Sequence, residues 1–206
     1  MPRPWNVIID EEVDYGLVDV IASHKSLVWE QVPVSDPALD RYLEQVAAIH
    51  VKGGYVFSRW RAVEYSDTTA WYMARRKLDD YDLLHALFNN ELVREGLAEL
   101  LIPRPLPRAM GFWEEWAGPL CLDGLLAGVI VTGGAYRKFT GSPREAKALG
   151  IAAAKALMQD RFEDFRLDTS STTWTPWFNG IGDDHTYVLT DFANAEVTVL
   201  CVTDDS

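Results

Sequence analysis

The 206-residue sequence predicts an α+β fold, in which a mixed, largely antiparallel sheet is covered by helices and ends in a C-terminal β-hairpin. Strand-like segments alternate with helical segments along the chain, and two strand-like segments stand together at its end. Because 48% of the residues are hydrophobic, the chain can bury a substantial core. We therefore expect a single α+β domain over residues 1–206.

Two segments carry the clearest helix signals. In residues 35–50, Asp36 can cap a helix whose first turn contains a proline, and apolar residues then recur at helical spacing. In residues 140–160, Ser142 and Glu145 form a capping-box pattern before an alanine-rich run. The alanines and a glycine of this second helix form a small-residue face, which we expect to lie close to the sheet.

Strand-like segments are marked by β-branched and aromatic residues between turn signals. They lie at residues 6–21 (a short strand with an acidic loop), 26–32, 55–60, 125–134, 186–192 and 195–204. The last segment is apolar on both faces, which predicts a central position in the sheet. Together with the segment before it, it predicts the C-terminal hairpin.

The middle of the chain predicts helices and then an extended joint. Residues 68–101 favour helix almost without breakers, and an acidic break at Asp79-Asp80 divides them into two consecutive helices. The segment IPRPLPRAM follows, with three prolines at alternate positions near residues 102–108. Alternate prolines remove amide donors and favour an extended backbone, so we expect a joint inside one domain.

Charge favours a basic partner. The chain has 19 Lys and Arg against 31 Asp and Glu, a net charge of −12, which argues against general binding to nucleic acid or to anionic membranes. No Lys or Arg follows Arg166, so the final segment is purely acidic. The sequence contains neither a membrane-spanning run nor a signal-peptide core, and we expect a cytoplasmic protein. Cys121 and Cys201 have no paired spacing and are expected to be reduced.

Motifs for catalysis are missing from the sequence. The glycine pairs lack the spacings of phosphate-binding loops, and no GxSxG occurs. Asp183, Asp184 and His185 are consecutive, and adjacent strand residues point to opposite faces, so we expect no catalytic residue, metal or cofactor. One alternative stays open, which is an enzyme acting on a small molecule or through a metal, with its site near Asp183–His185 and Asp191 as a second carboxylate.

The strongest functional signal comes from two tryptophan pairs, first Trp113 with Trp116 and then Trp174 with Trp177. Tryptophan is enriched in the regions of interfaces that dominate binding, and carboxylates around it suit a basic surface. The predicted partner-binding residues are Trp113, Glu114, Glu115, Trp116, Trp174, Trp177, Asp183, Asp184 and Asp191. Two other interpretations remain: the rings fill the rim of the core, or they form a self-complementary surface that makes a homodimer.

Three stretches carry a family resemblance: GFWEEWAGPLCLDG, GAYRKFTGSPREA and WTPWFNGIGDDHTYVLTDFANAEVTVLCVTDD. With them the chain resembles the immunity protein 52 family of bacterial polymorphic-toxin systems. The resemblance implies a non-enzymatic protein that binds and neutralises a cognate secreted toxin. It further implies that this toxin is a nuclease effector of type VI secretion. The family supplies no catalytic residues, and the site residues above come from their chemistry alone.

Overall fold

An antiparallel sheet forms the centre of the fold. The structure is a computed structural model that describes residues 4–5, 15–180 and 184–204. Within these residues the sheet has six strands in the spatial order β1-β2-β6-β5-β4-β3, and every neighbouring pair is antiparallel. The strands are β1 Val28–Gln31, β2 Gly54–Glu64, β3 Trp113–Glu114, β4 Phe165–Ser170, β5 His185–Asp191 and β6 Glu196–Thr203. The predicted α+β class and C-terminal hairpin are confirmed.

Helices cover both faces of the sheet. One face packs against α2 (Pro37–Ile49), α7 (Leu122–Thr132) and α8 (Pro143–Met158). The opposite face carries α1 (Leu17–His24), α3 (Asp67–Ala74), α4 (Leu78–Tyr81), α5 (Leu83–Asn89) and α6 (Glu91–Gly96). Strand β6 contributes Val199 to one apolar cluster and Leu200 to the other, which confirms its predicted central position. None of the helices in the described ranges has the length and apolar character of a transmembrane span.

The predicted caps form as expected. The Asp36 carboxylate accepts a hydrogen bond from the amide of Ala38 at 2.8 Å, and the capping box joins Ser142 and Glu145 at the start of α8. Strands β1 and β2 lie at their predicted places, although β2 is longer than residues 55–60. Both cysteines are free thiols, and Cys201 is fully enclosed by the core.

The strand predicted at residues 125–134 is wrong, because this segment lies largely in helix α7. Its β-branched residues favour a strand locally, but Leu122, Leu126 and Val129 share one buried helical face. Helix α7 packs closely on α8 at Gly150, where an added Cβ would lie 2.3 Å from the Asp123 carbonyl oxygen. The small-residue face of α8 at Gly150 therefore lies against a helix, not against the sheet as expected.

Other boundaries also differ from the prediction. Residues 17–21, expected in an acidic loop, belong to α1, while residues 6–14 of that prediction lie outside the described residues. Residues 68–101 form four short helices and a short 3₁₀ turn instead of two helices, because Asp82 adopts a left-handed conformation and Asn90 caps a new helix. Strands β3 and β4 were not predicted.

The proline-rich joint has neither helix nor strand between residues 101 and 112, and its backbone bends at residues 104, 105 and 108. It is nevertheless packed against the core through Ile102, Leu106 and Met110. The guanidinium of Arg94 donates hydrogen bonds to the carbonyl oxygens of Ile102 and Pro103. This joint passes directly into β3, and so places the first tryptophan pair at the edge of the sheet.

Candidate partner-binding surface

The outermost strand of the sheet carries the first tryptophan pair. We call Trp113, Glu114, Glu115 and Trp116 the edge segment. Trp113 pairs with Thr169 of β4, Glu114 pairs with Asp168, and the Glu115 amide donates to the Leu167 carbonyl oxygen at 2.9 Å. Among the described residues, the edge segment therefore has a neighbouring strand on one side only, and its other side is the sheet edge.

Both tryptophans of the edge segment are exposed. Trp116 is 96% exposed, and Trp113 is 47% exposed. A tryptophan that leaves its whole ring in water gives no stability to the fold, and large exposed apolar groups mark interaction sites. The edge segment thus exposes two aromatic side chains, three residues apart, at the edge of the sheet.

The two glutamates lie on opposite faces of the sheet edge. Glu114 approaches the buried guanidinium of Arg166, with 3.3 Å between Oε2 and Nη1. Glu115 is half-buried, and its carboxylate accepts a hydrogen bond from the Thr169 hydroxyl at 2.7 Å. Because adjacent strand residues alternate in direction, Glu115 lines a groove on one face, whereas Glu114 lies on the other face near Arg166.

On the Glu114 side lies a cavity of about 290 Å³ between α4, α5, the joint and strand β4. Arg166 donates to Asp168 and to Asp79, both at 2.7 Å. Burial opposes the charge on Arg166, but these hydrogen bonds outweigh it and raise its pKa, so the guanidinium stays protonated. One cation thus faces the carboxylates of Asp79, Asp168 and Glu114, and the cluster is negative overall.

On the Glu115 side lies a groove of about 360 Å³ between α7 and the strands β3, β4 and β5. We call it the Glu115 groove. Its wall includes Trp113 and His185, and the His185 ring stacks on Tyr187 with 6.0 Å between ring centroids. Gly124 and Gly128 of α7 form part of its floor.

The second tryptophan pair is placed differently from the first. Trp174 is 3% exposed and packs between Phe88 and Phe112, and its indole N–H donates to the Thr186 hydroxyl at 3.0 Å. Trp177 is half-buried and packs against the same core cluster. Trp174 is therefore a core residue in this structure, contrary to the expectation that it contacts a partner.

The predicted aspartates also act inside the fold. Asp184 is buried, and its carboxylate accepts hydrogen bonds from the Gly180 amide at 2.7 Å and the Thr203 hydroxyl at 2.5 Å. Asp191 is buried too, and it closes the hairpin turn by accepting from the Asn194 amide at 3.1 Å. Both carboxylates are buried and hydrogen-bonded within the fold. The prediction that Asp184 and Asp191 contact a partner is therefore corrected. Asp183 lies outside the described residues.

Asp184 and Asp191 cannot form a carboxylate pair in this fold. They stand at opposite ends of β5, seven residues apart, which corresponds to about 23 Å along an extended strand. The guanidinium of Arg161 binds Asp191 at 2.6 Å, so this carboxylate already has a cationic partner. In the described part of the chain, no three His, Cys, Asp or Glu side chains are grouped in a way that could hold a metal ion.

Sequence reasoning missed the Arg166 cluster. The alternation of Arg166 and Asp168 in a strand would have placed both on one face, but β4 was not predicted. Asp79 reaches the cluster from α4, and no local pattern connects positions 87 residues apart.

A scan against protein-family models matches no family, and a search of curated proteins finds no match.

Proposed function

We propose that this chain is an immunity protein, which binds a cognate secreted toxin and blocks it without catalysing a reaction. The observation that carries the proposal is the edge segment, where a fully exposed tryptophan, Trp116, stands three residues from the half-exposed Trp113. Tryptophans of this kind dominate binding energies when a partner covers them. The exposed carboxylate of Glu114 beside them suits a partner with basic groups.

The charge of the chain supports a particular kind of toxin. A nuclease needs a cationic surface for its substrate, and a protein of net charge −12 can approach that surface rapidly. We therefore propose a nuclease effector of type VI secretion as the partner, in line with the resemblance to the immunity protein 52 family. Inhibition would then take place in the cytoplasm, where such a toxin meets nucleic acid.

Co-expression with the product of the neighbouring gene tests this proposal. We expect the two proteins to co-elute, and cells that express the neighbouring product to survive when this chain is present. Replacing Trp116 by Ala should weaken the complex by roughly 30-fold, because central tryptophans contribute at least about 2 kcal/mol to binding. Leu92→Ala in α6 is the matched control, since Leu92 is also exposed and lies outside the edge segment.

The two outcomes are clearly separated. If neither co-elution nor protection is observed with the wild-type chain, the proposed function is wrong. If the wild-type chain protects and Trp116→Ala binds as tightly as Leu92→Ala, the chain is an inhibitor with a different binding surface.

A further inference from the structure

The Glu115 groove contains a half-buried carboxylate. The Glu115 carboxylate accepts a hydrogen bond from the Thr169 hydroxyl, and among the described residues the ion pairs of this edge join Lys or Arg to other carboxylates, such as Arg166 to Glu114. Burial raises the pKa of Tyr187, and the negative charge of Glu115 raises it further. The field of this carboxylate therefore extends into the groove, where it favours a cation.

The floor of the groove leaves room for a long side chain. Gly128 lies on the exposed face of α7, and a Cβ added there would have no atom within 4 Å. Gly124, one turn earlier, has only the Lys147 ammonium at 3.7 Å from such a Cβ. A volume of about 360 Å³ is at the lower end of the range of small-ligand pockets.

The wall of the groove offers an aromatic surface. Trp113 is half-exposed and lines the groove together with Glu115. An indole face attracts cations, and a nearby carboxylate adds a charge-assisted hydrogen bond. Arginine uses both contacts better than lysine does, because its planar guanidinium can stack on a ring while it donates to a carboxylate.

We infer that the Glu115 groove binds an arginine side chain of the partner protein, with its guanidinium between the Trp113 ring and the Glu115 carboxylate. The inference rests on the proposed function, since it identifies the chemistry by which the edge segment would recognise a basic toxin. Glu115, Gly124 and Gly128, which line the same groove as Trp113, would then contact the arginine side chain of the partner. The arginine stem would lie along the glycine floor of α7.

Titration with N-acetyl-arginine amide, followed by nuclear magnetic resonance, tests the groove without the partner. We expect a saturable shift of the Trp113 indole N–H resonance, assigned by its loss in Trp113→Phe, with an affinity in the millimolar range. N-acetyl-citrulline amide has nearly the same shape without the charge. The citrulline probe should not shift the Trp113 indole N–H resonance, because it cannot form an ion pair with the Glu115 carboxylate.

Two variants of this chain locate the binding. Glu115→Gln should lower the affinity for the arginine probe by about tenfold, which is the loss expected for one charge-assisted hydrogen bond. Gly128→Leu should abolish binding, because the new side chain fills the groove from an open helical position. Glu99→Gln is the matched control, as it removes the same charge from an exposed site in the turn after α6. Circular dichroism checks that each variant is folded.

The inference is overturned if the arginine probe gives no saturable shift, if the citrulline probe binds equally well, or if Glu115→Gln binds arginine as tightly as Glu99→Gln does. This result is distinguishable from failure of the proposed function. If only the inference about the groove is wrong, the neighbouring gene product still co-elutes with this chain. If only the proposed function is wrong, arginine binds the groove but no complex with the neighbouring gene product forms.

Discussion

At the scale of single residues, Trp116 and Trp174 occupy opposite environments. The Trp116 ring lies almost wholly in water, whereas Trp174 packs in the core against Phe88 and Phe112. Trp174 also donates its indole hydrogen to Thr186, so the polar atom of this buried ring is satisfied. Stability should therefore depend on Trp174 and hardly at all on Trp116.

Alanine substitution at each position measures this difference. Trp174→Ala should lower the free energy of unfolding by about 3–5 kcal/mol, since it removes a buried ring and leaves a cavity. Trp116→Ala should change it by less than about 0.5 kcal/mol, as is usual for exposed positions. Urea unfolding followed by circular dichroism gives both values. Similar losses in the two variants would contradict the burial seen in the structure.

At the scale of elements, local sequence predicts the caps and the hairpin but not the layers. Asp36 and Ser142 cap helices through residues two and three positions away, so their sequence context is sufficient. In contrast, α7 packs closely on α8 at Gly150, and no local pattern in residues 122–132 predicts this contact with a later helix. The two tryptophan pairs have the same spacing, and Trp174 is buried through contacts with Phe88 and Phe112, which are distant in sequence.

The two glycines in the α7–α8 pair predict opposite effects of alanine. Gly128→Ala should stabilise the fold by about 0.5–1 kcal/mol, because the position is open and alanine favours helix. Gly150→Ala should destabilise it by about 1–3 kcal/mol, since the new methyl group would collide with the Asp123 carbonyl oxygen. Thermal unfolding of both variants compares them directly. A gain in stability for Gly150→Ala would contradict the close contact between these helices.

At the scale of the whole molecule, the acidic final segment is mostly an internal feature. Asp184, Asp191, Glu196 and Asp204 are all buried, although no Lys or Arg follows Arg166 in the sequence. Asp184 accepts hydrogen bonds within this segment, whereas Glu196 and Asp204 have partners from earlier in the chain. Glu196 accepts from Arg61 at 2.9 Å, and Asp204 accepts from the Lys52 amide at 2.9 Å. The carboxylates that can act on a distant partner are therefore the exposed ones, such as Asp79 and Glu114 near the edge segment.

The net charge of −12 predicts how association with a basic partner depends on salt. The proposed complex should form by electrostatic attraction over distances beyond contact, which ions screen within about 10 Å at 0.1 M salt. Between roughly 0.05 and 0.5 M salt we expect the association rate constant to fall at least about tenfold. The dissociation rate constant should change much less, because buried aromatic contacts are insensitive to screening. Stopped-flow mixing with the neighbouring gene product measures both constants. An association rate independent of salt would mean that the exposed carboxylates do not guide the encounter, and the partner's contact surface would then be predominantly apolar.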